Sequence, residues 1–194
     1  MQKLTAADLL TLERYARERT EFRARVLEHK RHRQLAVGPN MTWCFEDRLT
    51  IQYQIQEMLR VERIFEPEGI VEELGAYNPL IPDGANWKAT LLIEFPEVTE
   101  RQRQLAQLKG VERRCWVEVL GLSAVYALAD EDLERENEQK TSAVHFLRFE
   151  LTSAMIGALR AGAPLAAGVD HAHYSHRVSP VPEAVRAALL ADLA

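Results

Sequence analysis

Apolar residues follow one another most densely between Phe45 and Phe65, in the stretch FEDRLTIQYQIQEMLRVERIF. At 100° per residue, its aliphatic side chains cover most of the circumference of a helix and leave only a narrow polar arc. This pattern is typical of a helix that is buried on most sides. We therefore expect a long central helix against which the rest of the chain packs.

A second polar stripe runs along the predicted helix. Glu46, Thr50, Gln54 and Glu57 fall within about 80° of one another. A buried carboxylate needs a partner, a proton or a metal ion, so Gln54 and Glu57 are candidate catalytic residues, with Glu57 as base or ligand. The alternative is structural: Glu57 pairs with an arginine, and Gln54 bonds to backbone.

Short apolar runs with alternating character predict strands. The run ATLLIEF at residues 89–95 reads as a buried strand, and residues 112–120 and 123–129 read as a hairpin. Residues 143–151 alternate imperfectly and predict a further antiparallel strand. Together these runs predict a small, mostly antiparallel sheet that packs on the central helix.

Helices are expected at both ends of the chain. Residues 1–36 read as an amino-terminal helical segment, and residues 182–193 as a carboxy-terminal helix that begins at Pro182. The pattern as a whole predicts one α+β domain over residues 1–194.

The segment YNPLIPDGANW, at residues 77–87, contains two prolines and a Pro-Asp-Gly turn but is too apolar for a solvated linker. We expect an ordered loop that holds a ligand or a protein partner. Its candidate contact residues are Tyr77, Asn78 and Trp87.

Potential metal ligands cluster in VDHAHYSH. Asp170, His171, His173 and His176 offer a carboxylate and imidazoles, which suit a single Zn, Fe or Mn ion. The spacing matches no established motif, so chance clustering on an exposed loop is the competing interpretation. His145 is a candidate catalytic residue, with a strand histidine bonded to backbone as its alternative.

Composition limits the function classes. A net charge of −5 over 194 residues argues against general binding to nucleic acid, although arginines are in excess between residues 14 and 33. No uncharged run approaches the ~18 residues of a membrane span, and the first residues do not resemble a secretory signal. Two cysteines without CxxC spacing suit a reduced compartment, so we expect a cytoplasmic protein. A homodimer is compatible with these features.

The chain has no GxGxxG, no P-loop and no GxSxG sequence. Dinucleotide chemistry, nucleotide hydrolysis and an α/β-hydrolase triad therefore have no support in the sequence.

The segments QIQEMLR and YNPLIP, together with ATLLIEF, AVHFLRFEL and DHAHY, resemble a bacterial domain-of-unknown-function family, number 3501. The resemblance covers most of the chain and implies no catalytic residues. It implies an association with a rubrerythrin-like di-iron protein and an iron–sulfur oxidoreductase as partners, and hence with redox or peroxide metabolism.

Two functions follow from these features. The first is an accessory protein that binds a ligand or partner through the YNPLIP loop. The second is a metal-assisted enzyme in which Glu57 and Gln54 face His171 or His145 across one cleft.

Overall fold

A computed structural model describes residues 2–194 and forms an α+β fold with six α-helices and two antiparallel sheets. Met1, the first residue of the predicted amino-terminal segment, lies outside the described residues. The helices are α1 (Leu12–Lys30), α2 (Arg48–Glu62), α3 (Pro67–Tyr77), α4 (Val98–Gln107), α5 (Ser153–Arg160) and α6 (Glu183–Leu190). The strands are β1 (Gln34–Ala36), β2 (Met41–Glu46), β3 (Asn86–Ile93), β4 (Cys115–Val119), β5 (Val125–Tyr126), β6 (Leu128–Ala129), β7 (Val144–Glu150), β8 (Leu165–His171) and β9 (Tyr174–Val178).

One sheet has five strands in the order β1-β2-β3-β7-β6, and the other has four in the order β5-β4-β8-β9. Trp43 of β2 lies opposite Leu91 of β3, which lies opposite His145 of β7. The predicted hairpin is present as β4 and β5, but the chain then crosses to the other sheet, where β6 pairs with β7.

The main hydrophobic core lies between the inner faces of the two sheets. Every second residue of β2 is buried, and Trp43 stacks on Phe149 of β7 with ring centroids 5.3 Å apart. Helices α4, α5 and α6 add residues such as Leu105, Met155 and Leu189 to the same cluster. Each such side chain contributes roughly 1.5–3 kcal/mol by burial, so this core is the main stabilising element.

Helix α2 belongs to a separate layer. Its buried residues Ile51, Ile55 and Leu59 pack with Leu74 of α3 and with Leu4, and none of them belongs to the core between the sheets. The expectation of a long central helix under the sheet is therefore not confirmed: α1 and α3 are the neighbours of α2.

The sequence pattern also placed the start of this helix too early, at Phe45, whereas α2 begins at Arg48. Phe45 and Glu46 belong to β2, and Asp47 caps α2 by accepting a hydrogen bond from Thr50 N at 2.9 Å. The helix ends at Glu62 and is followed by Arg63, which has a left-handed φ of 57°. The strand before the cap was missed because its apolar residues fit the helical pattern as well.

Two hairpins were not predicted from the sequence. In the first hairpin, β1 and β2 are joined by a turn that contains Gly38, Pro39 and Asn40, and Gly38 has a φ of 77°. After Gly162 the chain enters β8, which pairs with β9 as the second hairpin. Residues 165–169 are all buried, so this strand shows no alternation to detect. Among residues 2–194, no helix is long and apolar enough to cross a membrane.

Candidate functional site

A groove separates the helical layer from the outer face of the five-stranded sheet, and we call it the sheet–helix groove. It contains a large cavity of about 580 Å³ and a small cavity of about 300 Å³, which share Tyr77, Leu80 and Phe146 as lining residues. Volumes of this size are typical of sites for small molecules. The large cavity is lined by Met58, Glu73, Gly75, Ala76, Tyr77, Pro79, Leu80, Lys88, Glu131, Asp132, Arg135, Phe146, Leu147 and Arg148.

The apolar wall of the large cavity is held in place by the amino terminus. Asn78 accepts a hydrogen bond from Leu4 N at 2.8 Å and donates one to Leu4 O at 2.9 Å. Lys3 Nζ adds bonds to the carbonyl oxygens of Asn78 and Ile81. These contacts fix the turn at residues 78–80 and so position Tyr77 and Leu80 against the groove.

Four of the charged residues around the large cavity are paired. Arg148 Nε and Nη2 lie 2.7 and 2.6 Å from the Glu131 carboxylate, and Arg148 also contacts Glu150. Arg135 bonds to Asp132 at 2.5 and 2.6 Å. The Glu131 pKa is lowered, first by its hydrogen bond with Arg148, in agreement with this pairing.

Lys88 is different, because it has no hydrogen bond and no ion pair among residues 2–194. It projects from β3 toward the helices, between its strand neighbours Glu46 and Arg148. Burial lowers the pKa of Lys88, and the Arg148 guanidinium lowers it further. A half-buried ammonium without a partner is stabilised when an anion binds beside it.

Glu73 of α3 lines the same cavity. Its Oε2 is buried and accepts no hydrogen bond from the described part of the chain. Burial raises the pKa of Glu73, and the carboxylates of Glu62 and Glu72 add to the effect. The large cavity therefore presents one unpaired cation and one unpaired acid.

The small cavity is lined by Cys44 and Gln54, with Glu46 and two threonines between them. Glu46 accepts hydrogen bonds from Thr50 at 2.6 Å and from Thr90 at 2.7 Å. Burial raises the pKa of the Cys44 thiol to about 11, with a smaller contribution from Glu46. Cys44 is therefore a thiol, not a thiolate nucleophile, at neutral pH.

Gln54 and Glu57 point in different directions. Gln54 faces the sheet, whereas Glu57 faces α1 and accepts hydrogen bonds from Tyr15 at 2.6 Å and from Arg19 at 2.7 Å. The bond with Arg19 is the main reason why the pKa of Glu57 is lowered to about 2. The arrangement matches the structural alternative raised for Glu57 and offers no base with a pKa near neutrality.

His145 is fully buried at the inner face of β7. Its Nδ1 lies 2.6 Å from Asp130 Oδ2, and its Nε2 lies 3.0 Å from Thr141 Oγ1. This order resembles an acid–base relay, but Thr141 is 1% exposed and offers no access to a substrate. The chain of bonds holds the segment between β6 and β7, which carries Asp132 and Arg135 to the large cavity.

The predicted metal cluster lies on the β8–β9 hairpin. His171 accepts a bond from His173 N at 3.2 Å through Nδ1 and donates from Nε2 to Lys109 O at 3.1 Å, so both ring nitrogens are used. Asp170 accepts from Tyr126, and His176 packs on the Tyr174 ring. Within residues 2–194, no three His, Cys, Asp or Glu side chains lie together in a way that could hold a metal ion.

These contacts place Glu57, His145 and His171 in three separate environments, with Arg19, Asp130 and Lys109 as their respective partners, and no cleft among residues 2–194 joins the three side chains. Of the predicted loop residues, Tyr77 lines the groove, whereas Trp87 is 1% exposed and donates from Nε1 to Leu189 O at 2.9 Å. Sequence reasoning missed Lys88 and Glu73. Lys88 breaks the apolar run of its strand, but only the pairing of the strands shows which face it occupies.

Comparison with known proteins supports the resemblance noted in the sequence. The model of the family described as "Protein of unknown function (DUF3501)" matches residues 3–193. The chain belongs to this family. A crystal structure of a novel protein of unknown function from Burkholderia pseudomallei is similar to this DUF3501 chain, with 51% sequence identity, 100% of each chain covered and a TM-score of 0.92. No curated protein matches.

Neither the family description nor this neighbour gives a function. The predicted association of this DUF3501 protein with a rubrerythrin-like or iron–sulfur partner therefore stays a prediction, as does the predicted cytoplasmic location.

Proposed function

We propose that this DUF3501 protein is a non-catalytic binding protein whose sheet–helix groove holds a small molecule with an apolar body and an acidic group. The observation that carries the proposal is the unpaired Lys88 in a cavity of about 580 Å³ whose other cations, Arg135 and Arg148, are already paired.

The shape and chemistry of the walls support this function. Tyr77, Leu80 and Phe146 provide apolar surface on both sides of the groove, and Lys88 provides the anchor for the acidic group. Sites for small molecules are commonly built in this way, with apolar walls and few polar groups that fix the orientation of the ligand. The proposal narrows the sequence-based hypothesis of an accessory binding protein to one surface.

A fluorescent aromatic sulfonate, 8-anilinonaphthalene-1-sulfonate, is a suitable probe because it combines an apolar body with an anion. We expect the native protein to bind one equivalent. Lys88→Met should weaken binding about tenfold, because a charge-assisted contact in a partly desolvated site contributes about 1.4 kcal/mol. Lys109→Met is the matched control, since Lys109 does not line the groove.

A second variant blocks the cavity without changing the core. Ala76 is exposed on α3 and lines the large cavity, so Ala76→Trp should abolish binding while the circular dichroism spectrum and the midpoint of unfolding stay unchanged. Equal binding of the probe by the native protein, Lys88→Met and Ala76→Trp would refute the proposed site.

A further inference from the structure

We infer that the ligand of the large cavity is a zwitterion, such as an amino acid with a large apolar side chain, whose carboxylate binds Lys88 and whose ammonium binds Glu73. This inference rests on the proposed binding function and adds the class of ligand.

The first step is the position of the two unpaired groups. Lys88 projects from the sheet and Glu73 from α3, so they belong to opposite walls of the same cavity. No ion pair within 4.0 Å joins them in the described residues. The space between them is therefore bounded by a positive and a negative group.

The second step is the charge of the whole lining. Three cations, Lys88, Arg135 and Arg148, face three acids, Glu73, Glu131 and Asp132. Asp132 and Glu131 are satisfied by the two arginines. The lining is balanced, so a ligand of zero net charge with both signs fits it better than a simple anion, which would meet the unpaired acid of Glu73.

The third step is Glu73 itself. A carboxylate oxygen that is buried and accepts no hydrogen bond costs free energy. An ammonium group offers three donors and would remove that cost. A ligand with an acid alone would leave Glu73 unsatisfied.

The test measures displacement of the naphthalene sulfonate probe by three compounds of similar size: phenylalanine, 3-phenylpropionate, which lacks the amine, and phenethylamine, which lacks the acid. We expect phenylalanine to bind the native protein at least tenfold more tightly than either analogue. Glu73→Gln should remove the preference for phenylalanine, because it weakens the binding of phenylalanine and does not weaken that of 3-phenylpropionate. Glu72→Gln, at an exposed position one residue away on α3, is the matched control.

The outcomes separate the two proposals. If 3-phenylpropionate binds as tightly as phenylalanine, or Glu73→Gln has no effect on phenylalanine, the zwitterion inference is wrong while the binding function stands. If the probe binds in a Lys88-dependent way and none of the three compounds displaces it, the inference is again overturned. If probe binding does not depend on Lys88, the proposed function itself fails.

Discussion

Arg19 and Glu57 form a two-point ion pair, with Arg19 Nε 2.7 Å from Glu57 Oε1 and Arg19 Nη2 2.9 Å from Glu57 Oε2. Tyr15 OH donates a third bond to Oε1 at 2.6 Å. The pair joins α1 to α2, so Glu57, the last member of the polar stripe seen in the sequence, contacts another helix, whereas Gln54 of the same stripe faces the sheet.

Glu57→Gln should destabilise the protein by about 1 kcal/mol at pH 7, a value that allows for solvent screening of the partly exposed pair. The pKa of Glu57 is lowered to about 2 in the folded protein, against an ordinary value of 4.5. Its contribution is therefore present above pH 4.5 and is lost as pH falls toward 2. Urea unfolding of the native protein and of Glu57→Gln at pH 7 and pH 3 should therefore show a difference in stability that is smaller at pH 3.

Glu18→Gln is the control, because Glu18 pairs with Arg14 within α1 and both of these side chains are exposed. Its effect should be clearly smaller than that of Glu57→Gln. A Glu57→Gln variant as stable as the native protein at pH 7 would show that the two-point pair contributes nothing to stability.

The elements that sequence patterns predicted correctly are those whose burial follows a simple period. The stretches 89–95 and 143–151 became β3 and β7, because one face of each packs on the core and alternation follows from that. The hairpin of β8 and β9 was missed because burial of both faces of β8 removes the alternation.

The candidate site shows where sequence reasoning stops. Tyr77 was predicted from its apolar loop, and it lines the groove. Lys88 and Glu73 lie 15 positions apart in the sequence and on different elements, so only the fold shows that they share a cavity. The histidines stand out by their density, but both ring nitrogens of His171 are hydrogen-bonded, to His173 N and Lys109 O, and the His176 ring packs on Tyr174.

A buried cluster at the carboxy terminus should make stability depend on pH. Arg33 is 2% exposed and contacts both Asp192 and Asp47, and His29 Nε2 lies 2.5 Å from Asp47. Burial raises the pKa of Asp192 to about 6, and the nearby Asp47 carboxylate adds to this effect, while the contact with Arg33 opposes it. The folded protein therefore takes up a proton that the unfolded chain, with an aspartate pKa of about 3.8, does not hold.

The pH dependence of stability that Asp192 causes is opposite in sign to the one that Glu57 causes. Stability from Asp192 protonation appears as pH falls through 6 and is complete below about 3.8. Relative to Asp192→Asn, which cannot titrate, the native protein should gain on the order of 2 kcal/mol between pH 7.5 and pH 4. Denaturant unfolding of both proteins across this range gives the difference directly, and a flat difference would show that Asp192 stays ionised beside Arg33.

The two cysteines should react very differently from free thiols. Cys115 is buried with its thiol pKa raised, and the pKa of Cys44 is raised to about 11. We expect a disulfide reagent such as Ellman's reagent to modify the native protein slowly at pH 7.5, at Cys44 alone, and to titrate both thiols after unfolding. Because Cys44 lines the small cavity, Cys44→Ser should abolish the slow phase; rapid modification of both residues in the native protein would contradict the burial described for them.

Replacing glycine by alanine should have opposite effects on stability at two positions, Gly157 and Gly168. Gly157 is exposed within α5, and a Cβ at this position would meet no atom within 4 Å, so Gly157→Ala should stabilise the protein by about 0.5–1 kcal/mol through the helix propensity of alanine. A Cβ at Gly168 of β8 would lie 2.4 Å from Trp116 Cζ2 and 2.6 Å from His176 O. Gly168→Ala should therefore destabilise the protein by roughly 1–3 kcal/mol, as overpacking of a buried contact does. Thermal unfolding of the two variants against the native protein measures both effects, and equal midpoints for all three would contradict the close approach of β8 to Trp116.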